Sequence, residues 1–258
     1  MGPMPVSIAF NEQGSRAALT FAHPKGNILT REVMTGLRAA CEDLSRAPRL
    51  KLITLRSNGP DFSFGASVPE HAPGEIEHAL PEMHELVREM LVLPAPTAAV
   101  VQGRCFGGGF ELALACDFIM AAAGSSFALP EIALGVMPPV ASVLLPLKAG
   151  HARAMRAAIT GAVQPVEEWV QAGLVTLTAP PDLLDAAVED WFARHLAPHS
   201  AAALRHAAIA LRLDVHDAVE RLLPRIEQLY LKDLMSTEDA VEGIRAFVEK
   251  RAPVWKDR

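Results

Sequence analysis

Residues Gly103-Arg-Cys-Phe-Gly-Gly-Gly-Phe-Glu111 come directly after the apolar run Thr97-Ala-Ala-Val-Val101 and run on into Leu112-Ala-Leu-Ala-Cys116. The run before the glycines reads as a buried strand and the segment from Phe110 onward as a helix. The glycines therefore stand at a strand-to-helix turn. Three in a row permit torsions closed to other residues and close approach of a ligand. Ahead of a helix start they also expose N–H groups with no intrahelical partner, which can hold an anion or an oxyanion forming on a carbonyl. Tight strand–helix packing accounts for the same glycines, and on spacing alone both readings stand. No Gly-Lys-Ser/Thr follows, so the stretch is not a P-loop, and it lacks the G-x-G-x-x-G spacing of a dinucleotide fingerprint.

Outward from this turn the pattern alternates. Residues 17–22 read as a strand and residues 30–45 as a helix, with Thr30 as N-cap and Val33, Leu37, Ala40 and Leu44 on one face. Residues 50–55 form the next apolar strand, Ser57-Asn-Gly-Pro60 a turn, and residues 76–93 a helix stopped by Pro94 and Pro96. Downstream, 117–121 and 126–129 read as short strands, 152–159 and 165–172 as helices, and 175–178 as a last strand. Beyond about residue 180 only helices are expected. There Ser236-Thr-Glu-Asp239 has the form of a capping box opening a helix with Val241, Ile244 and Val248 on one face. The reading is an α/β core over residues 1–195 and a helical segment over 196–258.

Composition narrows the function classes. The chain has 258 residues, half of them hydrophobic and only 5% aromatic, with a net charge of −6. That excludes global disorder and argues against a general nucleic-acid binder, which needs a basic face. The most apolar stretch, Val136 to Leu147, is too short for a membrane span and carries Pro138, Pro139 and Pro146. No signal peptide is apparent at the N-terminus. Three cysteines, Cys41, Cys105 and Cys116, fit a reducing cytoplasm better than a disulfide framework.

Two carboxylates occupy suggestive places. Glu111 lies two positions after the glycine run, and Glu131 follows Pro130 ahead of Ile132-Ala-Leu134. Desolvated carboxylates have raised pKa values, and a pair can take a proton from water and deliver one elsewhere. For either alone, compensation of a helix dipole is the simpler reading.

Taken together, Phe62-Ser-Phe-Gly-Ala-Ser67, Gly107-Gly-Gly-Phe-Glu111-Leu-Ala and Pro130-Glu131-Ile-Ala-Leu-Gly135 resemble the crotonase (enoyl-CoA hydratase/isomerase) superfamily. The likeness runs from His23-Pro-Lys-Gly-Asn-Ile-Leu29 to the segment 238–251. It implies a crotonase-type ββα spiral core with a helical C-terminal trimerisation segment, a homotrimer or homohexamer, and an acyl-CoA substrate. No metal and no separate cofactor are implied, since CoA is part of the substrate. By position, the backbone N–H groups of Ala66 and Gly108 would form the oxyanion hole. Glu111 would mainly activate water and Glu131 mainly protonate carbon. Lys25, Phe64, Ser67, Pro139, Trp255 and Lys256 are the expected substrate and CoA contacts.

Two departures bear on the substrate. Most members carry Asp after the first Gly-Ala, where this chain has Ser67-Val-Pro-Glu-His71; simple hydratases are glycine-rich after Pro138, where it has Pro139-Val-Ala-Ser142. The first segment is most similar to cyclohexa-1,5-diene-1-carbonyl-CoA hydratases of anaerobic benzoyl-CoA degradation, which implies hydration of a cyclic dienoyl thioester; a trans-2-enoyl-CoA hydratase is the nearest alternative. Phe62, Phe64, Phe106 and Phe110 bracket both glycine segments, so a flat aromatic-lined slot is a further expectation. His71 is expected at the surface and Cys105 as a buried small residue.

Overall fold

The computed structural model describes residues 5–24, 26–72 and 74–258. Strand β1 (Val6–Phe10) pairs antiparallel with β2 (Arg16–Phe21), Val6 opposite Phe21. Helix α1 (Arg31–Ser45) starts at Thr30, whose side chain accepts the Val33 N–H. Strand β3 (Leu52–Ser57) lies parallel to β2, and helix α2 (Ile76–Leu91) follows. Strands β4 (Thr97–Val101) and β5 (Arg104–Phe106) then lead into helix α3 (Gly108–Ala115). Strands β6 (Phe118–Ala122) and β7 (Ser126–Ala128) precede α4 (Pro139–Ala149) and α5 (His151–Thr160). The two-residue β8 (Gln164–Pro165), α6 (Val166–Gln171) and β9 (Val175–Ala179) complete the core.

The large sheet has the order β1-β2-β3-β4-β6-β9, and all its pairs except β1–β2 are parallel. Side chains alternate across it, as the two-residue period of a strand requires. Ile53, Leu55, Ala99 and Val101 face the main core shared with α1, α2 and α3, while Leu52, Ala98 and Val100 face a second core closed by α7 (Leu184–His195). Burial on both faces explains why β4 reads as an unbroken apolar run.

The small sheet, β5-β7-β8, is extended by single bridges from Ser63 to Cys105 and from Leu29 to Ala66. Each turn of chain thus crosses the large sheet, touches the small one, and returns through a helix. This is the ββα spiral. No fixed sequence period shows it, because the second strand of each turn is between one and three residues long and is specified only by its neighbours.

The tail is helical, as expected: α8 (Ala201–Gln228) runs into a wider π-type turn at Leu229–Leu234, then α9 (Glu238–Val248). Ala218, Val219 and Leu223 of α8 join the main core. No helix among the described residues is long and apolar enough to cross a membrane. One local expectation needs correction. The cap of α9 is Thr237, which accepts the Ala240 N–H at 3.1 Å, while Ser236 donates back to Asp233. The proline-broken stretch 136–147 is mostly helix α4: Pro139 takes the first helical position, where a missing N–H costs nothing.

Arg212 anchors α8. It is buried and donates to the carbonyls of Leu91, Leu93 and Ala95 and to both oxygens of Asp117, which also accepts the Thr97 N–H. Replacing it by Met strands that carboxylate and three carbonyls. Arg212→Met is expected to lower stability by about 3–5 kcal/mol, read from the denaturant midpoint.

Candidate active site

The segment 61–66 runs beside β5. Phe62 N–H donates to Gln102, Ser63 N–H to Arg104, and Phe106 N–H back to Ser63. The chain then bends at Gly65, whose N–H donates to Ser63 Oγ at 3.0 Å while that hydroxyl donates to the Asn27 carbonyl at 2.7 Å. Asn27 in turn donates its side-chain amide to the carbonyls of Asn58 and Asp61. Asp61 clamps Arg104 through its backbone N–H and its guanidinium, at 2.8–2.9 Å, and the guanidinium lies 4.4 Å from the Phe64 ring centroid.

The Ala66 N–H is left with no acceptor among the described residues. The Gly108 N–H is also free, being the first of α3. The two lie side by side: a Cβ built on Gly108 would sit 3.3 Å from the Ala66 nitrogen. Both readings of the glycine triplet hold, divided by residue. Gly107 turns β5 into the helix at φ +50°, with its N–H on Ala128. Gly109 is a packing glycine, since a Cβ there would meet the Ser63 Cβ at 2.5 Å.

Glu111 lies one turn into α3 and is only 5% exposed. Its Oε1 accepts the Ala141 N–H at 2.9 Å, so the carboxylate caps the first turn of α4. It stands in the first turn of α3, as the dipole reading expects, and its carboxylate also serves the start of a neighbouring helix. Burial raises its pKa to about 7, with the amides of Ala141 and Val140 opposing the rise. Glu131 stands on a 3-10 turn, Pro130–Leu134, and its Oε1 lies against Gly107, 2.9 Å from where a Cβ would be. Its Oε2 is buried without a hydrogen-bond partner among the described residues. Burial first, then the charge of Glu111, pushes Glu131 to about 8. Two acids are thus held at different proton affinities, because one accepts backbone N–H groups of α4 and the other's only hydrogen-bond support is its own N–H.

These groups share one cavity, partly open to solvent. Ala66, Gly108, Glu111 and Glu131 line it, as do the expected contacts Phe64, Ser67 and Pro139. Leu29, Met34, Leu80, Met83 and Met137 are among its apolar walls. The aromatic slot is not there: Phe62 packs on Phe21, Phe110 on Phe127 and Trp169, and Phe106 stands edge-on to Phe64 outside the cavity. The walls are flexible aliphatic and Met side chains, which adapt to an acyl group. His71 also moves from its expected place, since it borders the cavity with Nδ1–H donating to the Ser67 carbonyl at 2.9 Å. Tyr230 was not anticipated and lines the cavity from the turn after α8. Its one available signal is that it is the only tyrosine in the chain. Cys105 is fully buried, as expected, and its thiol is pushed up by burial.

The expected CoA contacts fall elsewhere. Lys25 lies outside the described residues. Trp255 is half exposed in a shallow depression with Gly135, Val136 and Met137, the last two of which also line the cavity. The Lys256 ammonium pairs with Glu238 at 2.7 Å.

Comparison with known proteins gives the same picture throughout. Residues 11–258 match the family model described as enoyl-CoA hydratase/isomerase. A cyclohexa-1,5-dienecarbonyl-CoA hydratase from Thauera aromatica is 40% identical over 254 residues, 98% of either chain. A carnitinyl-CoA dehydratase from Salmonella typhi is 33% identical over 99% of this chain and 100% of its own. The crystal structure of an enoyl-CoA hydratase from Mycobacterium avium subsp. paratuberculosis K-10 superposes with a TM-score of 0.86 at 31% identity, covering 98% of this chain and 99% of that one.

The raised carboxyl pKa values carry a stability consequence of definite sign. From the ordinary 4.5 up to about 8 the folded chain binds more protons at this pair than the unfolded chain does, so stability falls as pH rises through that window. Glu131→Gln removes the buried charge. The variant is expected to be more stable than the parent at pH 8, by on the order of 2 kcal/mol, and nearly equal to it at about pH 5. Denaturant midpoints at the two pH values check this.

Proposed function

The chain belongs to the enoyl-CoA hydratase/isomerase family, and on that footing we propose that it hydrates cyclohexa-1,5-diene-1-carbonyl-CoA to 6-hydroxycyclohex-1-ene-1-carbonyl-CoA, a step of anaerobic benzoyl-CoA degradation. The general activity is that of a hydro-lyase acting on an acyl-CoA. The finer reading is supported by the relative of that name at 40% identity. The observation that carries the mechanism is the cavity itself, where two free amides and two acids of unequal proton affinity share one wall.

In this reading the thioester carbonyl oxygen accepts the Ala66 and Gly108 N–H groups. Glu111, the weaker proton binder, is the carboxylate and takes a proton from water as the oxygen bonds to the ring carbon β to the carbonyl. The electron pair displaced from that double bond passes through the diene to the carbonyl oxygen. There the two amides hold the extended dienolate, each contributing about 3–4 kcal/mol. Glu131, the stronger proton binder, is protonated and delivers its proton to the γ carbon on the other arm of the diene. The carbonyl re-forms with the remaining double bond next to it. Water is consumed, no electrons leave the substrate, and the step calls for neither a metal nor a redox cofactor.

Lys25, Trp255 and Lys256 are the proposed contacts of the CoA nucleotide. Lys256 would leave an exposed, solvent-screened ion pair with Glu238, which is readily given up. Leu211 and Leu213 on α8 are exposed, 82% and 56%, which supports the reading of a homotrimer or homohexamer.

The deciding experiment compares the cyclic dienoyl-CoA with crotonyl-CoA. The cyclic ester is expected to have the higher kcat/KM. Turnover of crotonyl-CoA alone would identify a straight-chain hydratase, the reading suggested by the enoyl-CoA hydratase structure that superposes on this chain. Glu111→Gln and Glu131→Gln are each expected to lower kcat by about 10²–10⁴-fold, and an isomerase would tolerate one of them.

A further inference from the structure

Tyr230 takes no part in the mechanism above, yet its placement is unusual. It is 1% exposed, and its hydroxyl has no hydrogen-bond partner among the described residues. Leaving a buried hydroxyl unpaired is costly, and one that borders a cavity has room for a partner from a ligand. The ring is fixed by Ile76, Leu80, Val136, Ala240 and Ile244, with which it forms a local apolar cluster. The wide turn Leu229–Leu234 carries it, and turns of this kind within helices recur at functional sites.

A second orphan shares the cavity. Glu131 Oε2 is also buried and unpartnered, and both residues line the same space as Glu111. Tyr230 feels both carboxylates, Glu131 more strongly, and burial together with their charge raises its phenol well above the ordinary range. It is therefore a neutral donor at every pH where the pair titrates. A donor and an acid that do not bond each other, but border one space, together fit a small oxygen group between them.

We propose that the Tyr230 hydroxyl donates a hydrogen bond to the oxygen that is water before the addition and the product hydroxyl after it, making Tyr230 a catalytic residue that selects hydroxylated acyl groups. This rests on the hydratase reading of the site but not on the ring. The acids exchange protons with that oxygen and with carbon, whereas Tyr230 keeps its proton and holds the oxygen against the face to be attacked. No bond to Tyr230 forms or breaks.

The test is Tyr230→Phe, which keeps the ring and its packing. Binding is measured for two ester pairs that differ only in the hydroxyl. One is 6-hydroxycyclohex-1-ene-1-carbonyl-CoA with cyclohex-1-ene-1-carbonyl-CoA; the other is 3-hydroxybutanoyl-CoA with butanoyl-CoA. The variant is expected to bind the hydroxylated member of the functional pair about 5- to 50-fold more weakly and its partner unchanged. Its melting temperature should be equal or higher, since an unpaired buried hydroxyl has been removed. Selective loss on the linear pair alone would sustain Tyr230 while ending the cyclic-substrate reading. Equal loss on both members, or none on either pair, overturns the proposal, as does an altered pH profile with no hydroxyl selectivity, which would make Tyr230 a positioning group for Glu131.

Discussion

Glu111 and Glu131 border one largely apolar cavity whose described lining also includes Glu70 but no lysine or arginine, and much of the structure around the pair serves to keep them there. Without a cation, a buried carboxylate is tolerated only through hydrogen bonds or by staying protonated. The chain uses both solutions. Glu111 takes the first turn of α4, and Glu131 is left with an unpartnered oxygen and a raised proton affinity. In the proposed mechanism this difference lets two chemically identical side chains serve as base and acid. It also explains why Pro139 suits the start of α4: the residues just after it must present free N–H groups to a carboxylate from another helix.

The second requirement is that the amides of Ala66 and Gly108 stay unpaired and adjacent. The spiral meets it by setting the loop before α2 against the turn before α3, through single-residue bridges of the small sheet. Side-chain bonds from Ser63, Asn27 and Asp61 then absorb neighbouring polar groups, and these two N–H groups are left without an acceptor among the described residues. Gly109 permits the close approach and Gly107 makes the turn. A fixed dipole pair of this sort needs little reorganisation when charge develops on the carbonyl oxygen.

Much of this was legible in the residue order. Strands β2, β3, β4, β6 and β9 of the large sheet and helices α1, α2 and α3 announced themselves through apolar runs, helical periodicity and the Thr30 cap, whereas the edge strand β1, exposed at Ser7, Ala9 and Phe10, was not read. Both glutamates and both amides could be placed from the glycine segments and the resemblance they carry. What escaped notice had no local signal. Strands β5 and β8 are too short to show a period and exist through pairing alone. Helix α4 was hidden by its prolines. The ring positions misled because Phe62 and Phe110 are buried in the core, while Phe64 alone of the four rings borders the cavity. Tyr230 reaches the site only because a 28-residue helix carries the chain back across the molecule.

The pH dependence of kcat/KM, measured for the parent and for Glu131→Gln, tests most directly whether the two acids work in opposite protonation states. The parent should give a bell with limbs near about 7 and about 8, belonging to the pair as a whole. The residual activity of Glu131→Gln should keep the acid limb and lose the alkaline one. A parent profile flat from about pH 5 to about pH 9, or an alkaline limb that survives in Glu131→Gln, would contradict the assignment of base and acid.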